Sequence, residues 1–254
     1  VLADNVLVNS KSVETSQQPL AAILPGKSSV VALTLKGGYD ADAEVLVNLE
    51  VLRPEATDYA DALYPVAAEQ FTIQKRQKTL PAVQVADTEL KLISATQGTS
   101  RIVKNANFLI QFSKDGIIEK WQMKGIDVVK ANGGPDYENY RWIENDAPYG
   151  GDPAYSADNG INSRSAQLKM ATDRKSATMT VRATGRNCSY LFTYTIYANG
   201  IVDLKAVYTA NISIVRRIGM QMLMPGELSN VKYYARGPWA NYIDRHTGSF
   251  LVEY

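Results

Sequence analysis

A period-two alternation of apolar and polar residues, running with short breaks from one end of the chain to the other, constrains its fold more than any other feature. Successive side chains on a strand point to opposite faces, so "SATMTVRAT" (176–184) and "YLFTYTIY" (190–197) each present one face to a core. The same pattern predicts strands over 29–36, 44–52, 69–74, 90–96, 108–113, 117–123, 201–210, 218–224 and 231–235. Two breaks, "SKDG" (113–116) and "ANG" (198–200), carry a glycine able to take φ > 0 and predict hairpins. No long helical pattern exists; the best stretch, "ATDYADALYPVAAEQ" (56–70), is interrupted by Pro65. The expected fold is all-β.

The alternation lapses over "RQKTLPAVQVADTE" (76–89), which is polar and holds a proline, as a linker does. The expected domains are 1–76, a linker at 77–88, and 89–254. The first is short for a sandwich of ~100 residues, so it is expected to be minimal or to have strands upstream of Val1. The second contains the aromatic and glycine-rich stretch "KANGGPDYENYRWIENDAPYGGDPAYSADNGINSRS" (130–165). Connections beyond ~12–15 residues are usually functional or disordered. This one holds Trp142 and four tyrosines, too aromatic for plain disorder.

Composition removes several function classes. Lys+Arg at 27 against Asp+Glu at 26 gives a net charge of +1, which offers nothing to nucleic acid or an anionic membrane. No apolar run approaches the ~18 residues that would span a bilayer. Cys188, the single cysteine, rules out an internal disulfide and is expected to be a buried, inert thiol. Asp146, Asp152 and Asp158 lack the order of a calcium loop, so no metal site is expected.

Most of the unusual residues gather in "RGPWANYIDRHTGSF" (236–250): a Gly-Pro turn, Trp239 and the only histidine, His246. Asp244 and His246 have no serine or cysteine partner in view, so a structural, ion-paired turn is preferred over general-base chemistry. Pro238 and Trp239 are expected to plug a sandwich corner rather than to stack on a sugar. This stretch resembles the G-x-G-P-x-E-N-Y-x-D-R segment of the large β-galactosidases of glycoside hydrolase family 2. Its structural residues are Arg236, Gly237, Pro238, Trp239, Asn241, Tyr242, Asp244 and Arg245, with Ala240 where the family has glutamate. "LPGKSSVVALTL" and "EVLVNLEVLRPEATDYADALYPVAAEQFTI" resemble the immunoglobulin-like domain that follows the catalytic barrel in those enzymes. "NFLIQFSKDGIIEKWQMKGIDVV" is similar to the opening hairpin of the β-galactosidase small-chain domain, and "YRWIENDAPYGG" to its F-x-R-A-P-x-D-N-D-x-G segment.

The resemblance implies an immunoglobulin-like sandwich, then a galactose-mutarotase-like supersandwich, in the C-terminal region of a retaining β-galactosidase. It places both catalytic glutamates on a TIM barrel upstream of Val1, so no catalytic residue is expected here. It implies that Asn145, Asp146, Tyr149, Gly150 and Gly151 line the active-site mouth. The implied partners are the TIM barrel of the same chain, a β-galactoside in the full-length enzyme and a further copy in a homo-oligomer. No cofactor is expected in this stretch; the full-length enzyme has room for a divalent or monovalent cation. The competing expectation is a carbohydrate-binding or adhesion fragment made of two β-sandwiches.

Overall fold

The computed structural model describes residues 1–76, 92–138, 161–186, 188–211 and 217–254. The fold is all-β, with every ladder antiparallel. It divides into two compact units, Val1–Ala82 together with Asn230–Tyr254, and Val83–Ser229.

In the first unit β1 (Leu2–Val8), β2 (Lys11–Gln18), β3 (Val45–Leu52) and β4 (Pro65–Gln74) form one sheet in the order β2-β1-β3-β4. Asn9 and Ser10, at φ 47° and 70°, make the tight turn between β1 and β2. Val6, Val45 and Val47 share one face and pack under Leu35 and Tyr39. The expected strand at 29–36 does not form. That segment crosses the sheet instead, its Ala32 carbonyl accepting from Gln18 Nε2 and its Lys36 N–H donating to the Glu14 carboxylate. Val30 is left 98% exposed. Residues 56–64 are turns, and Pro65 opens β4 rather than breaking a helix.

The second unit is a two-sheet sandwich. β5 (Ile93–Gln97), β6 (Ser100–Lys104), β7 (Phe108–Phe112), β8 (Ile118–Met123) and β9 (Ile126–Asp127) form a meander. β10 (Asp136–Glu138) stands apart from it. β11 (Ile161–Met170), β12 (Ser176–Gly185), β13 (Cys188–Tyr197) and β14 (Val202–Ala210) form the second sheet, and β15 (Gly219–Gln221) pairs with β10. Strict alternation of buried and partly exposed residues along β13 sends Cys188, Tyr190, Phe192, Tyr194 and Ile196 into the core. There they meet Phe108, Ile110, Phe112 and Ile118, with Phe112 and Tyr194 edge to face at 5.6 Å. Both expected hairpins are present. Gly116, at φ 84°, allows the first, and a Cβ there would overlap Val181 across the core.

The last hairpin, β16 (Tyr234–Gly237) and β17 (Phe250–Glu253), groups with the first unit, although the sequence reading put it in the 89–254 domain. The Gln70 carboxamide explains this. Its Nε2 donates to Leu251 O at 3.1 Å and its Oε1 accepts from Leu251 N at 2.8 Å, so a side chain does the work of a ladder pair. Tyr234 adds a hydrogen bond from its hydroxyl to the Glu44 carboxylate.

Candidate functional site

The densest polar constellation among the described residues lies at the two flanks of the stretch 139–160. It starts with Gly133-Gly134-Pro135. Gly134 passes so close to Ile118 that a Cβ would overlap that side chain, and Leu223 N donates to Gly133 O at 2.8 Å. Only glycine permits this approach. It delivers Asp136 beside the β11–β14 sheet.

Asp136 is saturated with donors. Arg164, on β11, grips it with two parallel bonds, Nη1 to Oδ1 at 3.1 Å and Nη2 to Oδ2 at 3.0 Å. The Tyr190 hydroxyl donates to Oδ1 at 2.9 Å, and the Tyr137 N–H to the same oxygen at 2.8 Å. Paired fork geometry of this kind is the strongest form of side-chain ion pair. The Arg164 guanidinium also lies over the Tyr190 ring, 5.5 Å from its centroid. Tyr194 donates to Pro135 O at 3.0 Å. Tyr137 stacks on Tyr190 and on Tyr208, with centroids 5.6 and 5.1 Å apart, and Arg217 pairs with Glu138 at 3.1 Å.

The electrostatics follow from burial. Burial pushes the Tyr137, Tyr190 and Tyr194 hydroxyls well above the ordinary phenol range, and the Asp136 charge adds to the shift of Tyr190 and Tyr194. For Arg164 burial pulls downward, but the Asp136 hydrogen bond and charge outweigh it and the net shift is upward. These groups hold fixed protonation states at neutral pH. With four donors on one carboxylate, the cluster is a clasp joining residue 136 to residue 164 rather than acid–base machinery.

The sequence reading missed this cluster. Its signal, an aspartate after Gly-Gly-Pro and an arginine 28 residues later, has no local period to betray it. The residues the reading did favour, Asn145, Asp146, Tyr149, Gly150 and Gly151, lie outside the described residues, as do Trp142 and the linker at 77–88. Cys188 is fully buried, and burial raises its thiol pKa, as expected of an inert cysteine.

The 236–250 motif is placed differently from its expectation. Gly237 is buried, and its Cα faces the Tyr254 ring, which itself stacks on Tyr233 at 5.3 Å. Arg236 Nη1 donates to Ser249 O at 2.8 Å and closes the hairpin, while Arg245 N donates to Tyr242 O at 2.9 Å. Trp239 is not the expected plug: it is 70% exposed, with Pro238, Asn241 and Tyr242 also at the surface. Tyr254 and Tyr233 fill the corner instead, because they stack directly over the Gly237 backbone. Asp244 and Arg245 are exposed, and neither forms an ion pair among the described residues, so the turn is held by backbone bonds. No group of three or more His, Cys, Asp or Glu side chains among the described residues is placed to hold a metal ion.

Comparison with known proteins agrees with this architecture. Residues 104–254 match the beta galactosidase small chain family. A beta-galactosidase from Lactobacillus delbrueckii subsp. bulgaricus is 24% identical over 267 aligned residues, which cover 98% of this chain and 25% of that protein. The chain therefore spans about a quarter of the length of the curated relative it matches. With its two-sheet sandwich and the family match running over more than half its length, the chain belongs to the beta galactosidase small chain family.

Proposed function

We propose that this chain is the C-terminal, non-catalytic region of a retaining β-galactosidase that hydrolyses terminal β-D-galactosides. The observation that carries the reading is the family match over 104–254 in a chain that aligns end to end with one quarter of a beta-galactosidase. In this reading the two units scaffold a TIM barrel elsewhere in the same polypeptide, where a pair of glutamates ~5–5.5 Å apart performs a double displacement. The segment bearing Asn145, Asp146, Tyr149, Gly150 and Gly151 lines the mouth of that active site. Two things support this role: its likeness to the family's D-N-D-x-G segment, and the Asp136–Arg164 clasp, which joins the described residues on either side of it.

The experiment is a pair of assays on p-nitrophenyl β-D-galactoside. The intact polypeptide is expected to turn the substrate over, and the 254-residue chain alone is not. In the intact enzyme Asp146→Asn is expected to raise KM and lower kcat/KM at least tenfold with an unchanged melting temperature. Turnover by the 254-residue chain, abolished by changing one of its own glutamates, would sink the non-catalytic assignment. An Asp146→Asn enzyme with wild-type kinetics would remove the mouth-lining role.

A further inference from the structure

The sheet of the first unit has a second face, opposite the valines of its core, and its composition is unusual. Thr15 stands directly across from Asn5, Asn5 from Asn48, and Asn48 from Gln70. These four make one polar row over four strands. In the neighbouring row Ala3 sits between Gln17 and Glu50. A methyl group surrounded by long polar side chains leaves a hollow, and a cleft of about 440 Å³ opens there; Asn5, Thr15, Gln17, Asn48 and Glu50 line it together with Asp4 and Ser16.

The hydrogen bonds already made fix what the cleft offers. Asn5 Oδ1 accepts from Ser12 Oγ at 2.7 Å, and Asn48 Oδ1 accepts from Gln70 Nε2 at 2.8 Å. Both carboxamide oxygens are therefore engaged, and each Nδ2 remains as a donor. Gln70 is itself pinned to Leu251, so Asn48 is held in place by a bonded chain of side chains. Glu50 is half-buried and its carboxylate takes part in no hydrogen bond or ion pair among the described residues, which leaves an acceptor-only group beside two fixed donors.

We propose that this cleft binds a neutral saccharide. A sugar hydroxyl both donates and accepts, so adjacent hydroxyls can donate to Glu50 and accept from Asn5 and Asn48 at once. The volume falls in the ~300–1,000 Å³ range of small-molecule sites. The lining disfavours other classes. An anion would meet the Glu50 carboxylate with no lysine or arginine in the lining, and a protein partner would find none of the aromatic or arginine anchors that carry such interfaces. This inference does not rest on the hydrolase reading.

Equilibrium dialysis of the intact protein against radiolabelled methyl β-D-thiogalactoside, which is not hydrolysed, counts bound sugar per chain. Two variants are compared with the wild type: Glu50→Gln, which keeps the shape and removes the charge, and Ala3→Leu, which fills the hollow. The wild type is expected to show a class of site whose affinity falls at least tenfold in both variants, while kcat and KM on p-nitrophenyl β-D-galactoside stay unchanged. Equal numbers and affinities of sites in all three proteins, or no binding to the wild type, overturn the proposal. Loss of binding in the variants of a protein that hydrolyses no galactoside would uphold this site and reject the hydrolase reading.

Discussion

Asp136 shows how much one side chain can organise. It accepts from Arg164, Tyr190 and the Tyr137 backbone, and its side chain retains only 28% exposure. Asp136→Asn leaves a partly buried guanidinium without its counter-charge, and hydrogen bonds to charged groups are each worth roughly 1.5–3 kcal/mol. Urea unfolding of the variant should show a loss of that order. A double-mutant cycle with Arg164→Met should return a coupling of about 0.5–3 kcal/mol; a coupling near zero would mean the pair is decorative. Gly237 makes a different kind of demand. A Cβ there would stand 3.0 Å from the Tyr254 ring, too close for ordinary contact. Gly237→Val should therefore lower the melting temperature by several degrees, and Tyr254→Ala in the same background should recover most of the loss. A Gly237→Val protein that melts like the wild type would show that the corner yields freely.

At the scale of elements, strict alternation was the legible part. β12 and β13 could be drawn from the sequence almost to the residue because one face of each is buried against a second sheet. β2, whose pattern is exposed nearly throughout, and β11, an edge strand, carry no such signal and were missed. The 29–36 segment fails in the opposite way: its apolar run reads as a strand, but no neighbour offers a ladder and side chains of β2 satisfy its backbone instead. Long-range polar partnerships were illegible for a simpler reason. Gln70 meets Leu251 across 181 residues and Asp136 meets Arg164 across 28, and no local period encodes either. Asn145 and its neighbours were singled out only through family likeness and lie outside the described residues.

The docked hairpin also gives the first unit a pH dependence. Burial, reinforced by the Glu44 hydrogen bond and charge, pushes the Tyr234 hydroxyl from 10.0 up to about 12. A raised phenol pKa means that the folded state keeps its proton where the unfolded chain has lost it. The stabilisation is thus complete below pH 10 and disappears as pH climbs towards 12. Unfolding midpoints followed from pH 8 to 11.5 should fall above pH 10 in the wild type and fall less in Tyr234→Phe. Superimposable profiles would show that Tyr234 and Glu44 contribute nothing to the docking.

At the scale of the whole molecule, the chain is two all-β units that align with about a quarter of a beta-galactosidase. Family membership rests on the 104–254 match, whereas the proposed activity is to be measured on the intact polypeptide. Proton NMR of p-nitrophenyl β-D-galactoside hydrolysis by the intact protein tests the account most directly, because it reports substrate, turnover and stereochemistry together. The account predicts that β-galactose appears first and mutarotates afterwards, as two successive displacements require. First release of α-galactose, or no hydrolysis of the β-galactoside at all, would contradict it.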